Sequence, residues 1–139
     1  MAVLNSMVLD SFALIGYLEN EGFSARIEKF LNQARQGKIR IYLHAIHLGE
    51  VYYITLREQG QDIADLAYAR IKAFPLRYID IIDEKLLRTA ARIKAIYPIS
   101  YADSFAASLA VIKHAALLTG DPEFKKLERK EKISIEWLG

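Results

Sequence analysis

Four acidic residues, Asp10, Glu50, Asp103 and Asp121, stand at places in the chain where a carboxylate could do chemistry. Asp10 follows an apolar run in "MVLDSF" and Asp121 follows another in "LLTGDPEF". Asp103 opens a helical pattern in "PISYADSFAAS", and Glu50 lies in the middle of one, "HAIHLGEVYY". Three of the four also have a structural reading. Asp10 can cap the helix after it, and Asp121 before Pro122 has the form of a helix start. Ser100 and Asp103 are spaced as a capping box. Asp83, in "DIIDEKLL", is read as a cap and nothing more. Glu50 cannot be a cap in mid-helix. Its neighbours at helical spacing are Ile46, Tyr53 and Ile54, an apolar stripe beside which an unpaired carboxylate is costly to bury. The nearest basic residue after it is Arg57, roughly two turns away.

If these acids meet, the chemistry follows from their charge. Two carboxylates about 5 Å apart repel by roughly 3 kcal/mol at an effective dielectric of about 20. Four together must take up protons or bind a divalent cation. Oxygen ligands without histidine or thiolate favour Mg²⁺ or Mn²⁺ over zinc. Such a site, open to solvent, suits metal-assisted hydrolysis of a phosphate ester. The cation activates water and neutralises charge on the in-line transition state, and a pair of ions about 4 Å apart does both.

The elements that must position these acids are legible as short apolar runs between longer periodic stretches. Met7–Leu9, Ile39–Leu43, Arg77–Ile81, Ala115–Leu118 and Ile133–Glu136 read as strands. Phe12–Tyr17, Ser24–Arg35, Ala45–Glu58, Asp62–Phe74, Glu84–Ile96 and Tyr101–His114 read as helices, with a short one from Pro122. That alternation predicts right-handed crossovers and an α/β sandwich with a central parallel five-stranded sheet flanked by helices. The near-continuous apolar inner strands agree with burial on both faces. Ligands of open parallel sheets bind outside the carboxyl ends of the strands, which is where Asp10 and Asp121 fall. No repeat, linker or compositional shift divides the 139 residues, so a single domain over 1–139 is expected.

Composition narrows the setting. A hydrophobic content of 53% with 26% charged residues is that of a globular chain, not a disordered one. The formal charge of +2 permits a polyanionic partner without requiring one. With no cysteine, disulfides and thiolate metal sites are excluded, and a reducing compartment is the default. The apolar start "MAVLNSMVLDSFALIGYL" lacks a basic region, and Asn5 and Asp10 interrupt it. It reads as a buried strand entering a helix, not a signal or membrane segment, so a cytoplasmic protein is expected.

Other polar residues carry weaker signals. His44 and His47, three apart, lack an H-E-x-x-H pattern and read as structural. His114 reads as a helix C-terminal residue with favourable dipole contacts. "KKLERKEK" mixes signs, as a solvated surface does. Lys113, Lys125 and Lys126 are candidates to touch phosphates near the acids.

"VLDSFALIGYLENEG", "LGEVYY", "ISYADSFAASLA", "LLTGDPEF" and the closing "IEWL" together resemble the PIN domain family, and within it the VapC-type ribonuclease toxins of toxin–antitoxin pairs. The resemblance runs over essentially the whole chain. It implies a PIN-like three-layer sandwich and a Mg²⁺- or Mn²⁺-dependent endoribonuclease. By matching motif, it implies that Asp10, Glu50, Asp103 and Asp121 form the catalytic, metal-binding quartet. Ser11 and Thr119 match hydroxyl positions beside the first and last aspartates, where they would orient carboxylates or water. The resemblance further implies a homodimer, and a VapB-type antitoxin laying a C-terminal segment over the active-site groove. Tyr17, Phe23, Phe30, Tyr53 and Ile54 are groove candidates that could equally be core. Three alternatives stay open: a PIN ribonuclease in RNA processing, a non-catalytic RNA- or protein-binding module, and a phosphatase with an aspartyl nucleophile. The last would want a second aspartate two residues after Asp10, where Phe12 stands.

Overall fold

A computed structural model describes residues 5–139. The part of the N-terminal strand reading that falls on residues 1–4 lies outside them. Five parallel strands, β1 (Asn5–Leu9), β2 (Ile39–His44), β3 (Arg77–Ile79), β4 (Ala116–Thr119) and β5 (Ile135–Trp137), pair in the order β3-β2-β1-β4-β5. Seven helices join them: α1 (Ser11–Leu18), α2 (Ser24–Arg35), α3 (Ala45–Gln59), α4 (Gln61–Lys72), α5 (Glu84–Ile96), α6 (Tyr101–Lys113) and α7 (Lys125–Lys130). A single 3₁₀ turn, Pro122–Phe124, precedes α7. The expected α/β sandwich with a five-stranded parallel sheet is what the chain forms.

Successive side chains of a strand point to opposite faces, and here both faces are covered. Val8 and Leu117 enter a core with Ala90, Ile93, Phe105 and Leu127 beneath α5, α6 and α7. Their neighbours Leu9 and Leu118 enter another with Leu14, Ile27, Leu31 and Val51 beneath α1, α2 and α3. Because each strand feeds two cores, its apolar run does not alternate.

Strand ends depart from expectation for reasons of pairing. β3 stops at Ile79, not Ile81, because it lies at the sheet edge and its sole neighbour β2 ends at His44, opposite Ile79. Ile81 is then left 69% exposed. β5 starts at Ile135, not Ile133, and runs to Trp137 because β4 continues to Thr119, opposite it. Gly60, at φ 91°, separates α3 from α4 with a backbone that a side chain would strain. On α6 the buried Ser104 and Ser108 bond back to the Ser100 and Ser104 carbonyls at 3.0 and 2.6 Å, so their hydroxyls pack without an unpaired group.

The strand order places the topological switch between β1 and β4. Their carboxyl ends lie side by side, Leu9 opposite Leu118, and the residues just beyond are Asp10 on one and Thr119 to Asp121 on the other.

Candidate functional site

Asp10 leaves β1 and caps α1, with Oδ1 accepting from the Ala13 amide at 2.9 Å. It is 1% exposed, and its second oxygen, Oδ2, is buried with no hydrogen-bond partner. Burial pushes its carboxyl from 3.8 up to about 7. The Thr119 hydroxyl and the Ala13 amide pull it down, and the charges of Asp103 and Asp121 push it further up.

Asp121 caps the 3₁₀ turn, its Oδ1 accepting from the Glu123 amide at 2.9 Å. Thr119, wholly buried, accepts the Asp121 amide on Oγ1 at 3.1 Å, which leaves its hydroxyl hydrogen for Asp10. A Cβ on Gly120 would stand 2.5 Å from the Phe12 ring and 3.0 Å from the Leu138 carbonyl oxygen, so glycine is what lets the loop pack this closely. Ser11 opens α1, half-buried.

Asp103 arrives from the opposite layer, on the first turn of α6. Its amide donates to the Ser100 hydroxyl at 3.0 Å, which is one half of the expected capping box. Its own carboxylate belongs to the acidic group, with oxygens of Asp103, Asp121 and Glu123 all within 4.8 Å of one another. Burial raises its carboxyl from 3.8 to about 6, aided by the charges of Asp121, Glu50 and Glu123 and opposed by the Ser100 hydroxyl. Glu50 sits in mid-α3 with Oε1 buried and unpartnered. Arg57 does not answer it, since that guanidinium lies 5.6 Å over the Tyr53 ring. Among the described residues no ion pair involves any of these acids.

Of the four acids nominated from sequence, Asp103 and Asp121 lie together with Glu123, which sequence reasoning passed over, while Asp10 and Glu50 each interact with Asp103 through charge. The signal for Glu123 was its place two residues beyond Asp121 in "DPEF". An acid in the first turn of a short helix is too ordinary to draw notice. Asp83 is a cap, as expected, with Oδ1 accepting from the Leu86 amide at 2.8 Å.

The histidines hold backbone. His44 caps α3 by accepting the Ile46 amide on Nδ1 at 3.1 Å and donates from Nε2 to the Ile81 carbonyl at 3.0 Å. His47, fully buried on α3, donates from Nε2 to the Ala102 carbonyl at 2.9 Å, beside Asp103. Burial drives its ring down to about 4, so it is a neutral donor at ordinary pH. It pins α6 to α3 three residues before Glu50. His47→Leu is expected to destabilise the fold by about 1–3 kcal/mol in urea unfolding, from the carbonyl left unpaired. An unchanged midpoint would show that the bond carries nothing.

Lys113 does not belong near the acids. α6 is 13 residues long, Asp103 is near its start and Lys113 ends it, with its ammonium 5.2 Å over the Tyr42 ring. Lys125 and Lys126 begin α7 immediately after the acidic turn and are exposed. Of the aromatic groove candidates, Tyr17, Phe23 and Phe30 pack partly buried against the core, Ile54 is half-buried, and Tyr53 is 50% exposed.

This donor set fits a hard divalent cation. It consists of carboxylate oxygens, two of them buried without a hydrogen-bond partner, and burial, with the charges of neighbouring acids adding to it, holds the Asp10 and Asp103 carboxyls above the usual range.

Fold and site together define a class: a parallel α/β sandwich that gathers carboxylates at the switch point of its sheet. Residues 7–130 match the PIN domain family, and the chain belongs to it. No curated protein sequence matches the chain. Among solved structures it is similar to VapBC2 from Rickettsia felis bound to a promoter DNA fragment, with 16% identity over 96% of this chain and 99% of that one and a TM-score of 0.76. It is also similar to DNA-bound VapBC from Salmonella typhimurium, at 20% identity over 96% and 98% with a TM-score of 0.69. VapBC-5 from Mycobacterium tuberculosis, a member of a toxin–antitoxin family, shares 16% identity over 96% and 98% with a TM-score of 0.62.

Proposed function

We propose that this protein is a Mg²⁺- or Mn²⁺-dependent endoribonuclease of VapC type, the toxin of a toxin–antitoxin pair. What supports the reading is the pairing of Asp103 with Asp121 beyond the switch point of a PIN fold, with the charges of Asp10 and Glu50 felt at Asp103 and a buried, unpartnered oxygen on each of those two. A divalent cation bound there supplies Lewis acidity and a nucleophile at neutral pH. The chain's own residues do the positioning. The α1 and 3₁₀ caps fix Asp10 and Asp121, Thr119 steadies both, and the His47 bond sets Asp103 against Glu50. Lys125 and Lys126, exposed at the start of α7 immediately after the acidic turn, are the candidates to meet RNA phosphates.

The fold shared with VapBC complexes supports a VapB-type antitoxin as partner. A groove of mixed polar and apolar lining between α1, α3 and α4, with Ile63 at 44% and Leu66 at 59% exposed between Glu19 and Arg70, suits an amphipathic segment of it. A homodimer, a single domain over residues 1–139 and a cytoplasmic location belong to the same proposal. No helix among the described residues is long and apolar enough to cross a membrane.

The test uses purified protein freed of any antitoxin, incubated with RNA and either ion. Cleavage leaving 5′-phosphate and 3′-hydroxyl ends, stopped by EDTA, is expected. The proposal is overturned by RNA that stays intact with both ions, or by Asp103→Asn cutting as fast as wild type. The second result would favour a binding module.

A further inference from the structure

The formal charge of +2 hides a separation of sign along the sheet. Acids gather beyond the carboxyl ends of its strands, and the amino ends of β2 and β3 carry the opposite charge. Residues 29–49 and 66–79, which form those two strands and lead into them, contain Lys and Arg but no Asp or Glu. Between them lies a cleft of about 230 Å³, walled by Ala34, Ile39, Ile41, Pro75 and Leu76. The charged residues lining it are Arg40 and Arg77.

The strands set both arginines on one face. Arg40 and Tyr42 are two apart on β2, and Arg77 stands opposite Tyr42 on β3. On that face α6 lies over β1 and β4, while β3 is the edge strand, with Arg77 and its neighbour Tyr78 both exposed. Lys113, at the end of α6, adds a third cation, its ammonium 5.2 Å over the Tyr42 ring. Among the described residues none of the three is in an ion pair. Two guanidinium groups sharing one cleft repel, and Arg40 is half-buried, so the arrangement costs stability that a bound anion would relieve. Guanidinium forks match the oxygens of a phosphate in pairs. Cations also continue along the edge, where Lys72 stands 3.6 Å over the Tyr78 ring, so the surface fits a chain of phosphates better than a single one.

We propose that Arg40, Arg77 and Lys113 form a phosphate-binding cleft that holds the backbone of an RNA strand at the end of the sheet away from the acids. Val8 pairs with Tyr42, so Asp10 is level with His44, and Arg40 lies four residues, about 13 Å, below that level. A single strand covers the distance with about four nucleotides at about 3.4 Å each. The cleft thus favours RNA long enough to reach both ends, and adds affinity without reading sequence. The inference rests on the nuclease reading only in naming RNA as the source of the phosphates.

The experiment follows binding of a fluorescein-labelled oligouridylate of about 12 nucleotides to the full chain by fluorescence anisotropy, in EDTA and over a range of salt. Wild type is expected to bind with a steep salt dependence. Arg40→Gln/Arg77→Gln should weaken binding at least about tenfold at low salt and lower the slope of log K on log salt by about 1.4, the share of two phosphate contacts on a single strand. Arg40→Lys/Arg77→Lys keeps the charge, so it should keep the slope while losing part of the affinity with the paired N–H groups. Arg77 is exposed at the sheet edge, so Arg77→Gln alone, with half that change in slope, decides the question if the double variant does not fold. Wild type that leaves the oligouridylate unbound, or Arg77→Gln with the affinity and slope of wild type, overturns the inference. Binding weakened in the variants of a protein that cuts no RNA would sustain it while the nuclease reading fails. Cleavage by wild type, with binding unchanged in the variants, would do the reverse.

Discussion

Asp10→Asn is expected to lower RNA cleavage by at least about a hundredfold and, in the same protein, to raise the stability of the metal-free fold at pH 8. The two effects have one cause. Asp10 is 1% exposed and holds its proton up to about 7, against 3.8 for an ordinary aspartate. Keeping that carboxylate ionised above pH 7 therefore costs the fold about 4 kcal/mol relative to the unfolded chain. Asparagine escapes this cost and is an equally good cap, since its Oδ1 can accept the Ala13 amide as the aspartate does. A rise of several degrees in melting temperature is expected for a chain of this size. What is lost is the anionic oxygen that a cation would need. Such opposition between stability and activity marks a residue kept for function. If cleavage and melting temperature fall together, Asp10 is a structural residue and the loss of activity reports unfolding.

The layout of the fold was readable because parallel strands buried on both faces announce themselves. "MVL" and "ALL" are apolar without alternation, and β1 and β4 each feed one core with Val8 or Leu117 and the other with Leu9 or Leu118. The end of β3 was not readable, since it depends on where β2 stops, 35 residues earlier in the chain. The meeting of the acids followed from a rule of topology, as Asp10 and Asp121 end adjacent strands. Glu50 was legible because a carboxylate in an apolar stripe without a basic neighbour asks for an explanation. Glu123 was hidden by its resemblance to an ordinary first-turn acid. His47 is structural, as the lack of a metal-binding motif around it indicates, but its task was not legible, since its partner Ala102 lies 55 positions away. Lys113 misled because proximity in sequence to Asp121 says nothing when a whole helix and a strand intervene.

The metal-free protein is expected to lose stability as pH rises from about 4 to about 7, the reverse of ordinary acid denaturation, and a divalent cation should abolish that loss. Asp10 and Asp103 shed their protons near 3.8 when unfolded, and near about 7 and about 6 in the fold. Between those limits the folded state holds more protons, so each unit of pH moves the balance toward unfolding. His47 opposes them. Its ring is held down to about 4 against 6.5 unfolded, so the unfolded chain binds the extra proton there and stability rises with pH up to about 6.5. Two acids outweigh one histidine up to about pH 6, and from 6.5 to 7 Asp10 acts alone. With the half-buried Asp103 discounted for solvent screening, the net loss is on the order of 2–3 kcal/mol. Mg²⁺ or Mn²⁺ competes with protons for the same oxygens, so it should stabilise strongly at pH 8, by about 2.7 kcal/mol at a hundred times its dissociation constant, and hardly at all at pH 5. Urea unfolding from pH 4.5 to 8, with EDTA and with either ion, measures both effects, and Asp10→Asn should flatten the metal-free slope. Equal stabilisation by the cation at pH 5 and pH 8 would place its binding away from Asp10 and Asp103. The buried carboxylates would then need another reason to be left unpartnered.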